Sequence, residues 1–124
     1  VRDHPGVAGL PVGLFGASTG AAAALVAASD PSRQFAAVVS RGGRPDLAGD
    51  RLAHVTAPTL LIVGGDDTVV IGLNRDAQRS LRCEHRLSIV PGATHLFEEP
   101  GTLESVAELA AAWFVEPCTA AGSS

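Results

Sequence analysis

Three stretches of this chain hold residues of the types and order that could move a proton and an acyl group. Ser18 sits at the centre of "GASTG" (Gly16–Gly20), Asp66 and Asp67 lie in "GGDDTVV", and His95 closes "PGATH". A serine hydroxyl is a weak nucleophile at neutral pH. It needs an imidazole to take its proton, and the imidazole needs a carboxylate to orient it and steady its charge. Together these groups could attack an acyl carbonyl and pass the acyl group to water. The glycines two residues either side of Ser18 have a steric rationale. A serine held on a sharp strand-to-helix turn leaves little room for a β-carbon facing either flank. A serine at a helix start also has backbone N–H groups and the positive dipole end aimed at any anion forming there. Taken alone, Ser18 reads equally well as a helix N-cap beside a close-packed glycine turn. The aspartates and His95 tip the balance toward catalysis. Asp67 fits the spacing Gly64-x-x-Asp67-x-x-Val70, while Asp66 is its neighbouring competitor and is also read as the cap of the following helix.

These residues need a scaffold, and apolar β-branched runs alternating with helical patterns supply one. The alternation predicts an α/β fold, a predominantly parallel sheet of four strands with about four flanking helices. "PVGLFG" (Pro11–Gly16) reads as the first strand, and the alanine-rich helix after it ends near Asp30-Pro31. "FAAVVS" (Phe35–Ser40) suits a strand buried on both faces, and a short helix is expected around Asp46–His54. "PTLLIVGG" (Pro58–Gly65) gives the third strand, "DDTVV" a loop, and Gly72–Arg82 a helix. "HRLSIV" (His85–Val90) gives the fourth strand, followed by the loop "PGATHLFEEPG". In the last helix Leu103, Val106, Ala107, Ala110, Trp113 and Phe114 line one face, with Thr102 as expected N-cap. Chemistry on such sheets gathers at the carboxyl ends of the strands. The candidates fall on three loops at that edge. Residues 1–10 form a lead-in, 11–116 the folded unit, and 117–124 a tail expected to fray.

Ser18 in "GASTG", Asp67 in "GGDDTVV" and His95 in "PGATHLFEEPG" resemble the second half of an α/β-hydrolase. The dienelactone-hydrolase-like group of small hydrolases is the nearest in flavour, and some of its members are fused behind a phosphoribosyltransferase domain. The resemblance runs from Pro11 to Phe114. It implies Ser18 as nucleophile, His95 as general base and then acid, and Asp67 as the partner of His95. It also implies that Thr19 lends its backbone N–H to the oxyanion hole. Dienelactone hydrolases proper carry a cysteine nucleophile, so their substrate does not transfer to a chain with Ser18. The family places further strands before the nucleophile strand, one of whose loops gives the second oxyanion donor. Only ten residues precede Pro11 here. The four strands would therefore be the family's last four, and the chain is expected to be the C-terminal portion of a hydrolase domain. Its nucleophile strand should show an apolar edge that the missing half or a partner covers. The start at Val1 rather than methionine fits an upstream segment.

The resulting expectation is a serine hydrolase acting on an ester, thioester or similar small acyl substrate, with no metal or organic cofactor. Arg41 and Arg44, in "SRGGRP", are candidates for attracting an anionic substrate, against a plainer reading as solvated loop residues. The rival from another class is a hydrolase-like module that has lost turnover and binds a ligand. "GASTG" as a phosphate cradle lacks the lysine of one such motif and the third glycine of another. A net charge of -4 without a basic patch disfavours nucleic acid. No apolar run is long enough to span a bilayer. Cys83 and Cys118 make no disulfide framework or CxxC spacing, so a reducing, cytoplasmic setting is expected. His4, His54 and His85 read as surface or packing residues, Cys83 as a packing residue, and Glu98 and Glu99 as charges near the last helix.

Overall fold

The computed structural model describes residues 13–32 and 35–115. Four strands alternate with helical elements along them. In order these are β1 (Gly13–Ala17), α1 (Thr19–Ala28), β2 (Ala37–Arg41), a 3-10 segment (Pro45–His54) and β3 (Thr59–Gly64). Then follow α2 (Thr68–Ser80), β4 (His85–Val90) and α3 (Thr102–Val115). The strands pair in chain order and all in parallel, as the alternation predicts. Parallel strands of a sheet point their carboxyl ends to one edge. The loops after β1, β3 and β4 therefore open at that same edge.

Side chains alternate across each strand, and the two faces build separate cores. Val38 and Leu61 point to the layer of α1, the 3-10 segment and α2, where they meet Leu25, Leu52, Ala77 and Leu81. Ala37, Val39, Leu60 and Ile62 point the other way and pack on Val106, Ala110 and Trp113 of α3. All six residues of β3 are buried, the continuous apolar pattern expected of an inner parallel strand. The Trp113 indole N–H donates to the Pro58 carbonyl at 3.1 Å, which fixes α3 against the start of β3. The alanines of α1 let it lie close to the sheet, with Ala21 and Leu25 fully buried.

Several local expectations are corrected. α2 starts at Thr68, so "DDTVV" is its approach and first turn rather than a loop, and Gly72 lies inside the helix. Asp67, not Asp66, stands at the N-cap position of α2, and its side chain makes no capping bond. The Asp46–His54 helix is a 3-10 segment broken at Gly49, whose φ of 56° interrupts the helical backbone. Thr102 is the first residue of α3 rather than its cap, and its hydroxyl donates back to the Glu99 carbonyl at 2.7 Å. Strand β2 begins at Ala37, two residues after Phe35. Cys83 does pack, half-buried, against the first core, and burial pushes its thiol pKa up. Pro11, Val12, the lead-in with His4, and the tail with Cys118 lie outside the described residues. Among the described residues no helix is long and apolar enough to cross a membrane. Within them β1 pairs only with β2, and Phe15 on that edge strand is 50% exposed.

Candidate active site

Ser18 occupies the single residue between β1 and α1, with φ 50° and ψ -124°. That left-handed conformation costs a non-glycine residue about 1–3 kcal/mol and persists only where its surroundings enforce it. Here they do. The Ser18 N–H donates to the Arg41 carbonyl at 3.1 Å, and the Ser18 carbonyl accepts from the N–H groups of Ala21 at 3.1 Å and Arg44 at 3.3 Å. Gly16 is required at close quarters. A β-carbon there would stand 2.5 Å from the Gly20 oxygen and 2.7 Å from the Ala21 Cα. Gly20 is not required in the same way, because a β-carbon there meets nothing within 4 Å among the described residues. Half of the steric rationale for the pentapeptide therefore holds.

The structure brings Ser18, His95 and Asp67 together from positions far apart in the chain. Ser18 Oγ lies 3.0 Å from His95 Nε2, and His95 Nδ1 lies 2.8 Å from Asp67 Oδ2. The carboxylate can only accept, so Nδ1 carries the ring proton. Nε2 of the neutral ring is then the acceptor for the serine hydroxyl. The Asp67 side chain is 14% exposed and that of His95 39% exposed, so the relay is sheltered at its carboxylate end and open toward the serine. Asp66 is exposed and reaches the site only through its backbone N–H, which donates to the Ala93 carbonyl at 2.9 Å. Of the two aspartates, Asp67 is the one whose carboxylate meets His95.

Thr19 opens α1, where a backbone N–H has no carbonyl one turn back within the helix. No acidic residue occupies the first turn, so no carboxylate of the helix's own first turn offsets the positive dipole end beside Ser18. Arg41 and Arg44 part company. The Arg44 guanidinium forks onto the Asp46 carboxylate at 3.0 and 2.9 Å, which holds that carboxyl below its usual range. The Arg41 guanidinium lies 5.4 Å from the centre of the Phe97 ring, two residues beyond His95.

Three further residues shape the site without an obvious mark in the sequence. Phe97 is 1% exposed with φ 57°, a buried aromatic in a left-handed turn of the His95 loop. Glu99 turns back onto Thr94 rather than simply charging the approach to α3. Asn74, fully buried in the middle of α2, donates to the Gly43 carbonyl at 3.1 Å and to the Val70 carbonyl at 2.8 Å. An asparagine in the middle of a helix runs against local preference, and that is the one mark of it the sequence carries. Among the described residues no group of three or more His, Cys, Asp or Glu could hold a metal ion.

The model of the dienelactone hydrolase family matches residues 1–116. Two Mycobacterium tuberculosis relatives, one from each of two strains, are provisionally named phosphoribosyl transferases. Each is 64% identical over 124 residues, a match that takes in 100% of this chain and 28% of theirs. Among solved structures, a dienelactone hydrolase from Anabaena variabilis is 58% identical with a TM-score of 0.87, over 92% of this chain and 53% of that one. A provisionally named CIB-like hydrolase of Thermoplasma acidophilum, 22% identical with a TM-score of 0.64 over 91% of this chain, shares the fold. The chain thus spans about half of the Anabaena protein and under a third of the mycobacterial relatives.

Proposed function

The chain belongs to the dienelactone hydrolase family, and on that footing we propose that it is the catalytic portion of a serine hydrolase that cleaves an ester, thioester or similar small acyl substrate. The observation that carries this reading is the unbroken contact from Ser18 through His95 to Asp67, at 3.0 and 2.8 Å, with the serine held in a left-handed turn. Ser18 Oγ attacks the acyl carbonyl as His95 Nε2 takes its proton. Asp67 steadies the imidazolium. The carbonyl oxygen, now an anion, faces the start of α1, where the Thr19 N–H donates to it. Collapse breaks the bond to the leaving group, which departs with the proton from His95. A water molecule then attacks the acyl-serine with His95 again as base, releasing the acid and restoring the hydroxyl.

One backbone donor makes half an oxyanion hole, and loss of such a donor costs roughly 100- to 1000-fold in rate. We therefore assign the second donor, and the cover of β1, to the part of the domain represented in the Anabaena protein beyond the matched 53%. We read the transferase in the mycobacterial name as belonging to the length of those relatives beyond the matched 28%. The second reading is a hydrolase-like module that has lost turnover and binds a ligand.

A fluorophosphonate probe separates the two. The expected result is labelling at Ser18, abolished in Ser18→Ala, with ester turnover falling roughly a million-fold as when the nucleophile of a serine relay is removed. Absence of labelling in a protein that includes the whole domain would favour the binding module.

A further inference from the structure

His95 is carried by an eleven-residue run between β4 and α3 that contains no strand or helix. Its imidazole must nevertheless be held to a fraction of an ångström, so something outside regular secondary structure must fix the backbone. On one side the Asp66 N–H grips the Ala93 carbonyl at 2.9 Å. On the other side stands a carboxylate. Glu99 Oε1 accepts the Thr94 N–H at 3.0 Å, and Oε2 accepts the Thr94 hydroxyl at 2.7 Å. Both oxygens of one side chain are thus committed to the residue that immediately precedes His95. Glu99 is itself anchored, because its carbonyl accepts both the N–H of Thr102 at 3.1 Å and the Thr102 hydroxyl at 2.7 Å. The path runs from the first residue of α3 through Glu99 to Thr94 and so to the base.

We propose that Glu99 is a positioning residue for His95, locking the loop so that Nε2 stays within reach of Ser18 while Nδ1 stays on Asp67. The inference rests on the serine-hydrolase reading of the site. Three features favour positioning over mere loop stability. The contact is two-pronged, so it fixes the orientation of Thr94 as well as its position. It is adjacent to the base. And the loop also holds Phe97 in a left-handed turn whose N–H returns to the Thr94 carbonyl at 3.2 Å, so rotation at Thr94 would be transmitted across His95. The bonds from Thr94 also hold the Glu99 carboxyl below its usual range, so it stays an acceptor throughout the neutral region.

The test uses the full-length protein and three variants: Glu99→Ala, Glu99→Gln and Thr94→Val. Two rates are measured, fluorophosphonate labelling of Ser18 and turnover of a chromogenic ester, with a thermal melt of each protein alongside. Glu99→Ala should lower kcat and the labelling rate by about ten- to a hundred-fold, the scale expected when a catalytic group drifts by up to an ångström, with KM unchanged. Glu99→Gln should recover most of the loss, since its amide oxygen accepts the Thr94 N–H and its NH2 can donate to the Thr94 oxygen. Thr94→Val keeps the backbone bond and should fall between. The downfield proton resonance of the His95–Asp67 bond should broaden or vanish in Glu99→Ala. Should Glu99→Ala not fold, Glu99→Gln and Thr94→Val decide the matter. Variants that melt lower yet label at the wild-type rate per folded molecule would overturn the inference. A wild-type protein that never labels would instead remove the hydrolase reading on which it rests.

Discussion

Replacing Gly16 by alanine tests whether the turn at Ser18 is enforced by packing. The added β-carbon would lie 2.5 Å from the Gly20 oxygen and 2.7 Å from the Ala21 Cα, whereas ordinary contact begins at 3.4 Å, so about 0.9 Å must be found. Both obstructing atoms are backbone in the first turn of α1, and neither can rotate aside as a side chain would. The start of α1 must retreat from β1 by most of that distance. Ser18 cannot remain behind unchanged, because its carbonyl is bonded to the Ala21 N–H while its own N–H is bonded to Arg41. A shift of that size applied to a 3.0 Å contact with His95 Nε2 breaks or bends it. Misplacement of a reacting group by about 1 Å costs on the order of 100-fold in rate, and overpacking of this kind costs about 1–3 kcal/mol of stability. The assay is the second-order rate of fluorophosphonate labelling, paired with urea unfolding. Gly20→Ala is the control, since its β-carbon meets no described atom within 4 Å and it sits inside α1. There a glycine-to-alanine change should gain up to about 1 kcal/mol of helix propensity and leave labelling close to wild type. The reasoning fails if Gly16→Ala labels at the wild-type rate, or if Gly20→Ala suffers as much as Gly16→Ala.

Two other perturbations bear on the supports of the site. Asn74→Ala removes a fully buried amide and leaves the Gly43 carbonyl without its donor, so urea unfolding should show a loss of about 1–3 kcal/mol. Because the neighbouring Arg44 N–H holds the Ser18 carbonyl, labelling should slow as well; a variant as stable and as reactive as wild type would show that Asn74 is idle. The Asp46 carboxyl, lowered from its ordinary 3.8 by its bonds to Arg44, gives a pH signature. A depressed acid stabilises the fold fully above its unfolded-state pKa, and that contribution drains away as pH falls through the folded value. The melting-temperature difference between wild type and Asp46→Asn should therefore hold steady from about pH 8 to 5 and shrink below about pH 4. A difference that grows on acidification would contradict the sign.

What the chain's letters disclose and what they conceal follow from the range of the interactions involved. That Ser18, Asp67 and His95 meet at one edge is legible in the sequence because a parallel sheet sends every loop after a strand to the same edge. Recognising β1, β3 and β4 by their apolar runs was enough to bring the three loops together, with no knowledge of any contact. The start of α2 is concealed for a related reason. Val69, Val70 and Ile71 form a β-branched run with low helix preference, yet Val70 is buried and the first turn is set by packing rather than propensity. Thr102 has the chemistry of a cap, but its hydroxyl found a carbonyl three residues back instead. The supports were the least visible. Asn74 acts on Gly43 across 31 residues, and no local pattern announces such a partner. Glu99 acts on Thr94 across only five residues, yet the bond depends on the loop doubling back at Phe97, whose left-handed backbone nothing in a phenylalanine foretells. Topology therefore delivers reactive groups to a common edge, while the last ångström of their alignment is set by a few polar side chains whose targets exist only once the chain has folded. Substitutions at Glu99 should accordingly separate fold from rate more cleanly than any change in the strands.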